Sequence, residues 1–296
     1  MQSGNLKSYL SLHLIVFIWG FTAVLGELIS VKEASLVWYR MLLASVMLWI
    51  FAKYTKRNLI LPRKDLAKLV LVGFLIAIHW IFFFRAINIS NVSITLAMFS
   101  AGAFFASLLE PLLYKRKMLW YEVFFGLIIM GGLAIIMQVE VDYLEGIYSA
   151  LFSVLMGVLF TLSNGKLINR YDSVVITLYE FIAGFVLVTI YLAFSGSFTA
   201  QFFEVSGTDW VLILLLASVC TAYAFTASVH VMKRLTPYTV MLTTNLEPVY
   251  GIVLAYFLIG GDEKMSLSFY IGALIILATV ILNGIIKNYT TKKADN

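Results

Sequence analysis

Charge is what this 296-residue sequence has least of: Asp, Glu, Lys and Arg together make up 12% of it, roughly half the share of an ordinary soluble domain. Hydrophobic residues make up 61%, and the mean hydropathy is +0.94, which excludes a water-exposed globule. Cysteine is nearly absent. Cys220 stands alone inside an apolar run, so an internal disulfide is excluded, a thiol metal site lacks partners, and a small packing residue is expected. Also missing are a His-Glu-x-x-His signature, any aspartate deep in an apolar run, and a Gly-x-x-x-x-Gly-Lys-Ser/Thr loop. The first two absences argue against an intramembrane enzyme and the third against a motor driven by ATP. No cofactor and no metal are expected.

What the sequence does have is apolar runs of about 20 residues, each long enough to cross a hydrocarbon core of about 30 Å as a helix and about twice the length of a barrel strand. They are placed at 8–29, 35–54, 68–87, 92–113, 121–138, 146–167, 173–194, 210–232, 237–259 and 267–286. The expected fold is an all-α integral membrane protein of ten transmembrane helices. Lys7 ahead of the first run resembles the start of a signal peptide, but the run is long enough to span and has a counterpart later in the chain.

Loop charge sets the orientation. Seventeen basic residues fall on one set of loops and tails: Lys7, the group from Lys53 to Lys68, Lys115 to Lys117, Lys166, Arg170, Lys233, Arg234, Lys287, Lys292 and Lys293. Only Lys32 and Lys264 fall on the other. Basic residues in short loops stay cytoplasmic, so both termini are expected in the cytoplasm of a multi-pass protein of the inner (cytoplasmic) membrane. Glu33, Glu140, Asp142, Glu145, Glu204, Asp209, Asp262 and Glu263 fall on the far side. The basic face is read as a topology signal that also meets anionic lipid in the cytoplasmic leaflet, and no nucleic-acid partner is implied.

The chain divides near Asp142 and Tyr143 into halves 1–142 and 143–296. Gly20 in FIWGF precedes Gly157 in LMGVLF by 137 residues, and Gly126 precedes Gly272 by 146, the difference fitting a longer loop around Ser195 to Thr208. With five spans in each half, the second enters the membrane from the opposite side, so a structural repeat is an inverted one. The two Leu-Glu-Pro strings are not repeat partners. Glu110 and Pro111 lie near the cytoplasmic end of the fourth helix, whereas Glu247 and Pro248 lie near mid-membrane in the ninth, and both prolines are expected to break their helices.

Glu247 is the residue that most needs an explanation. A carboxylate at mid-bilayer costs about 2.5 to 3.5 kcal/mol on insertion scales, and the adjacent Pro248 breaks the helix and frees a carbonyl one turn back. Thr244, Glu247, Pro248 and Gly251 share one helix face, with Asn245 and Tyr250 farther round it. This face suits an ammonium group or a proton. His79, at mid-depth in the third helix, reads as hydrogen-bonded core or as a proton relay. Trp80, Phe83, Phe84, Phe99 and Phe105 read as aromatic walls or as lipid-facing side chains. Thr221 shares a face with Phe225 and Ser228, as binding groups or as helix-packing glue. Glu180, about two turns in from the cytoplasm, reads as the partner of a neighbouring helix or as a coupling group. Glu27, Arg40 and Arg85 lie near the outer ends of their helices and are expected to form a structural ion pair or an outer gate. Gly131 and Gly132 are expected at a close helix contact.

The ten spans, the Trp19-Gly20 pair in LHLIVFIWGFTAV, the run HWIFFFRAINISNVS and the stretch NLEPVYGIVLAYFLIGGDEKMS together resemble the EamA branch of the drug/metabolite transporter superfamily, over nearly the whole chain. Where members of that family often carry Leu-Gly-Glu at the end of the ninth helix, this sequence reads Ile259-Gly260-Gly261-Asp262-Glu263. The resemblance implies a central cavity shaped mainly by the third, fourth, eighth and ninth helices and opened alternately to each side. It implies export of a small metabolite, amino acids included. The expected protein is a secondary carrier for a small molecule, with protons as a candidate second partner. Multidrug efflux is the alternative, and sugar or nucleotide uptake a more remote one.

Overall fold

A computed structural model describes residues 3–139, 141–259 and 266–294, and its regular elements are helices throughout, with no strand among the described residues. The loop residues Glu140, Asp262, Glu263 and Lys264, and most of the string from Ile259 to Glu263, lie outside the described residues.

The first half contains α1 (Ser3–Leu28), α2 (Glu33–Tyr54), α3 (Arg63–Ile89), the half-helices α4 (Val92–Phe99) and α5 (Ala101–Tyr114), and α6 (Trp120–Val139). A short turn at Val141–Tyr143 leads into α7 (Leu144–Leu167) and α8 (Ser173–Phe194). A one-turn α9 (Ala200–Phe203) precedes α10 (Gly207–Leu215), a π-helical segment (Leu216–Tyr223) and α11 (Ala224–Val231), which run as one rod. Half-helices α12 (Pro237–Thr244) and α13 (Glu247–Leu258) and the long α14 (Leu267–Ala294) complete the chain. Eight of these rods are long and apolar enough to cross a membrane. Helices α6 and α14 are apolar over the shorter stretches Trp120–Ile136 and Leu267–Thr279.

Local chemistry sets the boundaries. The Asn91 side chain accepts from the Ile94 amide at the start of α4, Asp172 from the Val174 amide at α8, and Ser206 from the Asp209 amide at α10. At α12, Thr236 accepts from the Thr239 amide and Pro237 occupies the first turn, where no N–H is needed. Three of the expected spans are interrupted, the ninth at the break expected from Pro248 and the fourth and eighth where none was expected. Pro248 cannot donate to residue 244 and its ring crowds that carbonyl, so the ninth rod breaks at Asn245 and Leu246. The fourth rod breaks at Ser100 without a proline. The eighth rod is wound loosely over the π-helical segment, where the Thr221 hydroxyl donates to the Leu216 carbonyl. The two second half-helices begin at Ala101 and Glu247, the same 146-residue offset that relates Gly126 to Gly272.

The halves interlock rather than sit side by side. Helix α3 packs on α7 and α8, α1 on α11 and α13, α2 on α8 and the π-helical segment, α4 on α7 and α13, and α6 on α14. Lipid is as apolar as any leucine, so such contacts depend on close van der Waals fit and small residues. The α6/α14 contact is an example. A Cβ at Gly132 would stand 2.8 Å from Ile276 Cγ1 and 3.1 Å from the Gly272 carbonyl, and a Cβ at Gly272 would stand 2.9 Å from the Gly132 carbonyl. Gly131, expected at the same contact, faces open space: successive helix positions are about 100° apart, and only Gly132 faces α14.

Candidate functional site

A cavity lies where the halves meet. Its lining comes from α1 (Trp19, Thr22), α2 (Arg40), α3 (His79, Trp80, Phe83) and α4 (Phe99) in the first half. The second half contributes Gly157, Phe160, Thr161 and Asn164 from α7, Phe225 and Ser228 from α11, Met241 and Thr244 from α12, and Glu247 from α13. The third, fourth, eighth and ninth rods thus contribute, as expected, and so do the first, second and sixth. At one end the lining reaches Asn164 and Met232, which neighbour Lys166 and Lys233 in the basic loops. Toward the other end Phe84, Ile87, Val92 and Leu96 are fully packed against the core.

Glu247 is the first residue of α13, where the unpaired amides of a helix N-terminus favour a carboxylate. It is 5% exposed and faces the cavity instead of the molecular exterior. Thr244, one turn earlier, also lines the cavity, with its hydroxyl donating to the Val240 carbonyl. Asn245 and Tyr250 do not. Asn245 is buried at the break, with no hydrogen-bond partner for either side-chain polar atom, and Tyr250 packs edge-on against Phe17 of α1.

Arg40 is the main displacement from the sequence reading. It does not join Glu27 and Arg85 at an outer gate: it is 1% exposed, lines the central cavity, and donates from Nε to the Thr221 hydroxyl on the π-helical segment. Its guanidinium lies 3.8 Å from the centre of the Trp80 ring, a cation–π stack worth about 2 kcal/mol in a desolvated setting. Nη1 has no hydrogen-bond partner among the described residues. Arg85 instead pairs with Glu145 near the surface, linking α3 to α7, and Glu27 is exposed. Depth along a helix axis is legible in sequence, but the direction and reach of a long side chain are not.

The aromatic wall is continuous. His79 packs against Phe83, Phe99 and Phe160, Trp80 against Phe181 and Phe225, and Phe160 against Phe225. Phe84 stands behind this wall as core, and Phe105 packs against the second core cluster. His79 Nδ1 donates to the Ser153 carbonyl at 2.8 Å while the Ser153 hydroxyl donates to the His79 carbonyl at 2.7 Å, which fixes the ring on the cavity wall. Glu180 is fully buried behind Asn164, whose side-chain amide donates to it at 3.2 Å, and only Asn164 of the two lines the cavity.

Sequence reasoning missed Trp19, Thr22, Phe160, Thr161 and Asn164 as lining residues. A signal for α7 was present, because Gly157, Thr161 and Asn164 follow one another at spacings of four and three and put small and polar groups on one face of an apolar helix.

At the basic end, outside the spans, Arg116 bridges Glu110 and Glu122 at 2.9 and 2.8 Å and ties α5 to α6. Burial lowers the Arg116 pKa, and its hydrogen bonds to Glu122 and Glu110 outweigh that and hold it above the ordinary value. Pro111, expected as a helix break, instead lies within the last turn of the continuous α5, where the loss of one backbone donor does not end the helix, and its carbonyl accepts from the Arg116 amide. The hydrogen bond from Tyr171 to Asp65 holds that phenol above its ordinary value.

An archaeal protein, an uncharacterized transporter of Archaeoglobus fulgidus, is 23% identical over 295 residues, covering 94% of this chain and 97% of its own length. A solved crystal structure superposes with a TM-score of 0.72 over 95% of this chain and 98% of the other, at 14% identity, and so bears on the fold alone. The sequence profile of the EamA-like transporter family matches twice in tandem, over residues 6–138 and 144–285. A two-repeat helical membrane protein with a polar, aromatic cavity between its repeats is what such a transporter requires, and this chain belongs to the EamA-like transporter family, within the drug/metabolite transporter superfamily.

Proposed function

We propose that the protein is a secondary carrier of the cytoplasmic membrane that moves a small metabolite, an amino acid or a similar compound, outward by alternating access. The observation that carries this reading is the cavity itself: helices of both halves contribute to it, and its lining is polar and aromatic. In this reading the chain crosses the membrane ten times as two inverted five-helix units, 1–142 and 143–296, with both termini and the seventeen basic residues in the cytoplasm. The cavity then opens inward, and rocking one unit against the other exposes it outside. No nucleotide-binding loop is present in the sequence, so the driving force is a solute or proton gradient. Glu247 is the candidate coupling carboxylate, and Glu180, buried behind Asn164, is a second candidate for a coupling or gating role.

Efflux of apolar drugs is the second reading, favoured by the aromatic wall of Trp80, Phe83, Phe99 and Phe160. Metabolite profiles of the medium from cells with and without the protein separate the two. Purified protein in liposomes, assayed with and without a pH gradient, tests the carrier. Saturable flux stimulated by counterflow is expected, while a continuous current would identify a channel. A Glu247→Gln variant with unchanged flux and unchanged pH dependence would remove Glu247 from the coupling role.

A further inference from the structure

The cavity holds one buried cation and one buried carboxylate, and they do not close on each other. Elsewhere among the described residues oppositely charged partners meet at 2.9 Å or less, as Arg116 does with Glu110 and Glu122. Arg40 and Glu247 line the same cavity, yet no contact of 4 Å or less joins them. Each is held on its own wall. The Thr221 hydroxyl takes the Arg40 Nε, the Trp80 ring takes one guanidinium face, and Glu247 is fixed by the first turn of α13. Leaving two opposite charges buried and apart is unfavourable in an apolar interior unless something else meets them.

We propose that Arg40 and Glu247 are the two poles of a single binding site for a dipolar ion, a small molecule whose carboxylate is taken by Arg40 and whose ammonium group is taken by Glu247, with its apolar body against Trp80 and Phe225. The proposal rests on the carrier reading for its location and adds to it how the two charged ends of the cargo are held and a role for Arg40. Guanidinium is suited to a carboxylate because its planar fork gives two parallel hydrogen bonds, and the Nε tether to Thr221 leaves the Nη groups for that contact. The ring of Phe225 lies 6.0 Å from that of Trp80, and Phe160 lies 5.5 Å beyond it, so an apolar side chain is received on the same side of the cavity as the guanidinium. A molecule with only one of the two charged groups leaves the opposite pole buried without a partner, and that penalty provides discrimination.

The test uses the full chain in nanodiscs for binding and in liposomes for flux. The probes are L-phenylalanine and L-leucine, phenethylamine and isoamylamine (which lack the carboxylate), and 3-phenylpropionate and 4-methylpentanoate (which lack the ammonium group). At least one of the two amino acids is expected to bind at least about tenfold more tightly than both of its singly charged analogues. Arg40→Gln is expected to erase the preference over the amine and Glu247→Gln the preference over the acid, each leaving the other preference in place. Equal binding of amine and amino acid by the wild-type protein overturns the proposal, as does the absence of binding by either amino acid; neither result depends on a variant folding. The carrier reading fails separately, if the bound probe shows no counterflow in liposomes. Saturable flux of a different solute would preserve that reading while ending this one.

Discussion

Arg40 illustrates how much of a site is decided by individual side chains. Its charge is kept inside the bundle by a hydroxyl, an aromatic face and a distant carboxylate, none adjacent in sequence. Arg40→Lys keeps the charge but loses the Nε bond to Thr221 and the planar stack. It is expected to lower flux about tenfold or more while the protein still purifies as a folded monodisperse species; unchanged flux would show that charge alone suffices. Ser153 holds His79 through its carbonyl and its hydroxyl, and Ser153→Ala removes the hydroxyl contact, at a cost of about 1 kcal/mol, read as a small fall in melting temperature. The Glu180 carboxylate has one donor, Asn164, and its Oε1 atom has none. Asn164→Leu is therefore expected to destabilise by about 1 to 3 kcal/mol, and Glu180→Gln much less. If Glu180→Gln were the more damaging of the two in thermal unfolding, the carboxylate would have a role beyond packing. At this scale the sequence was informative where depth mattered, as for Glu247 and His79, and uninformative where reach mattered, as for Arg40. The residue spacing along α2 gives the height of Arg40 but not the neighbouring helix its side chain crosses to.

Helix breaks and close approaches belong to the next scale. The interruption before Glu247 follows from Pro248 and was legible, whereas the break at Ser100 and the π-helical turn that presents Thr221 have no comparable residue to announce them. They arise from packing between helices, which a one-dimensional pattern does not record. The Ser100 break nevertheless matches the one before Glu247 at the 146-residue offset, which ties those two to the repeat, whereas the π-helical turn has no counterpart in α3. Pro248→Ala restores a backbone donor and is expected to straighten the rod, leaving folding intact and lowering flux several-fold; hydrogen exchange at Asn245 to Gly251 should slow as the break heals. Helices α1 and α13 meet at Gly20 and Gly251, where a Cβ on Gly20 would stand 3.0 Å from Tyr250 Cβ and 3.1 Å from the Gly251 amide nitrogen. Gly20→Val forces the two helices apart, with an expected cost of about 1 to 3 kcal/mol in stability. A neutral effect in the melting curve would mean that this contact yields easily, as expected of a surface that slides during transport.

For the whole molecule, the two family matches in tandem and the interlocked helices define a membrane transporter of two repeated units. The all-helical, apolar character of the chain could be read from sequence because hydrophobic length is a local property. The cavity could only be anticipated, because its lining is assembled from seven rods across both repeats. At the end opposite the basic loops, two of the polar links that join the repeats involve acidic side chains. Ser30 donates twice to Asp209, at 3.0 Å from its amide and 2.6 Å from its hydroxyl, and Arg85 pairs with Glu145. Both links must open if access alternates.

The most direct test of that motion is labelling by a membrane-impermeant maleimide in a Cys220→Ala background, with single cysteines at Ser228, on the cavity wall, and at Ile87, in the packed end. Alternating access predicts that Ser228→Cys reacts from the cytoplasmic side and Ile87→Cys only from outside, and that cross-linking cysteines placed at Arg85 and Glu145 abolishes the second reaction while sparing the first. Simultaneous reaction of both sites from one side, or labelling of Ile87→Cys that persists after the cross-link, would contradict the account.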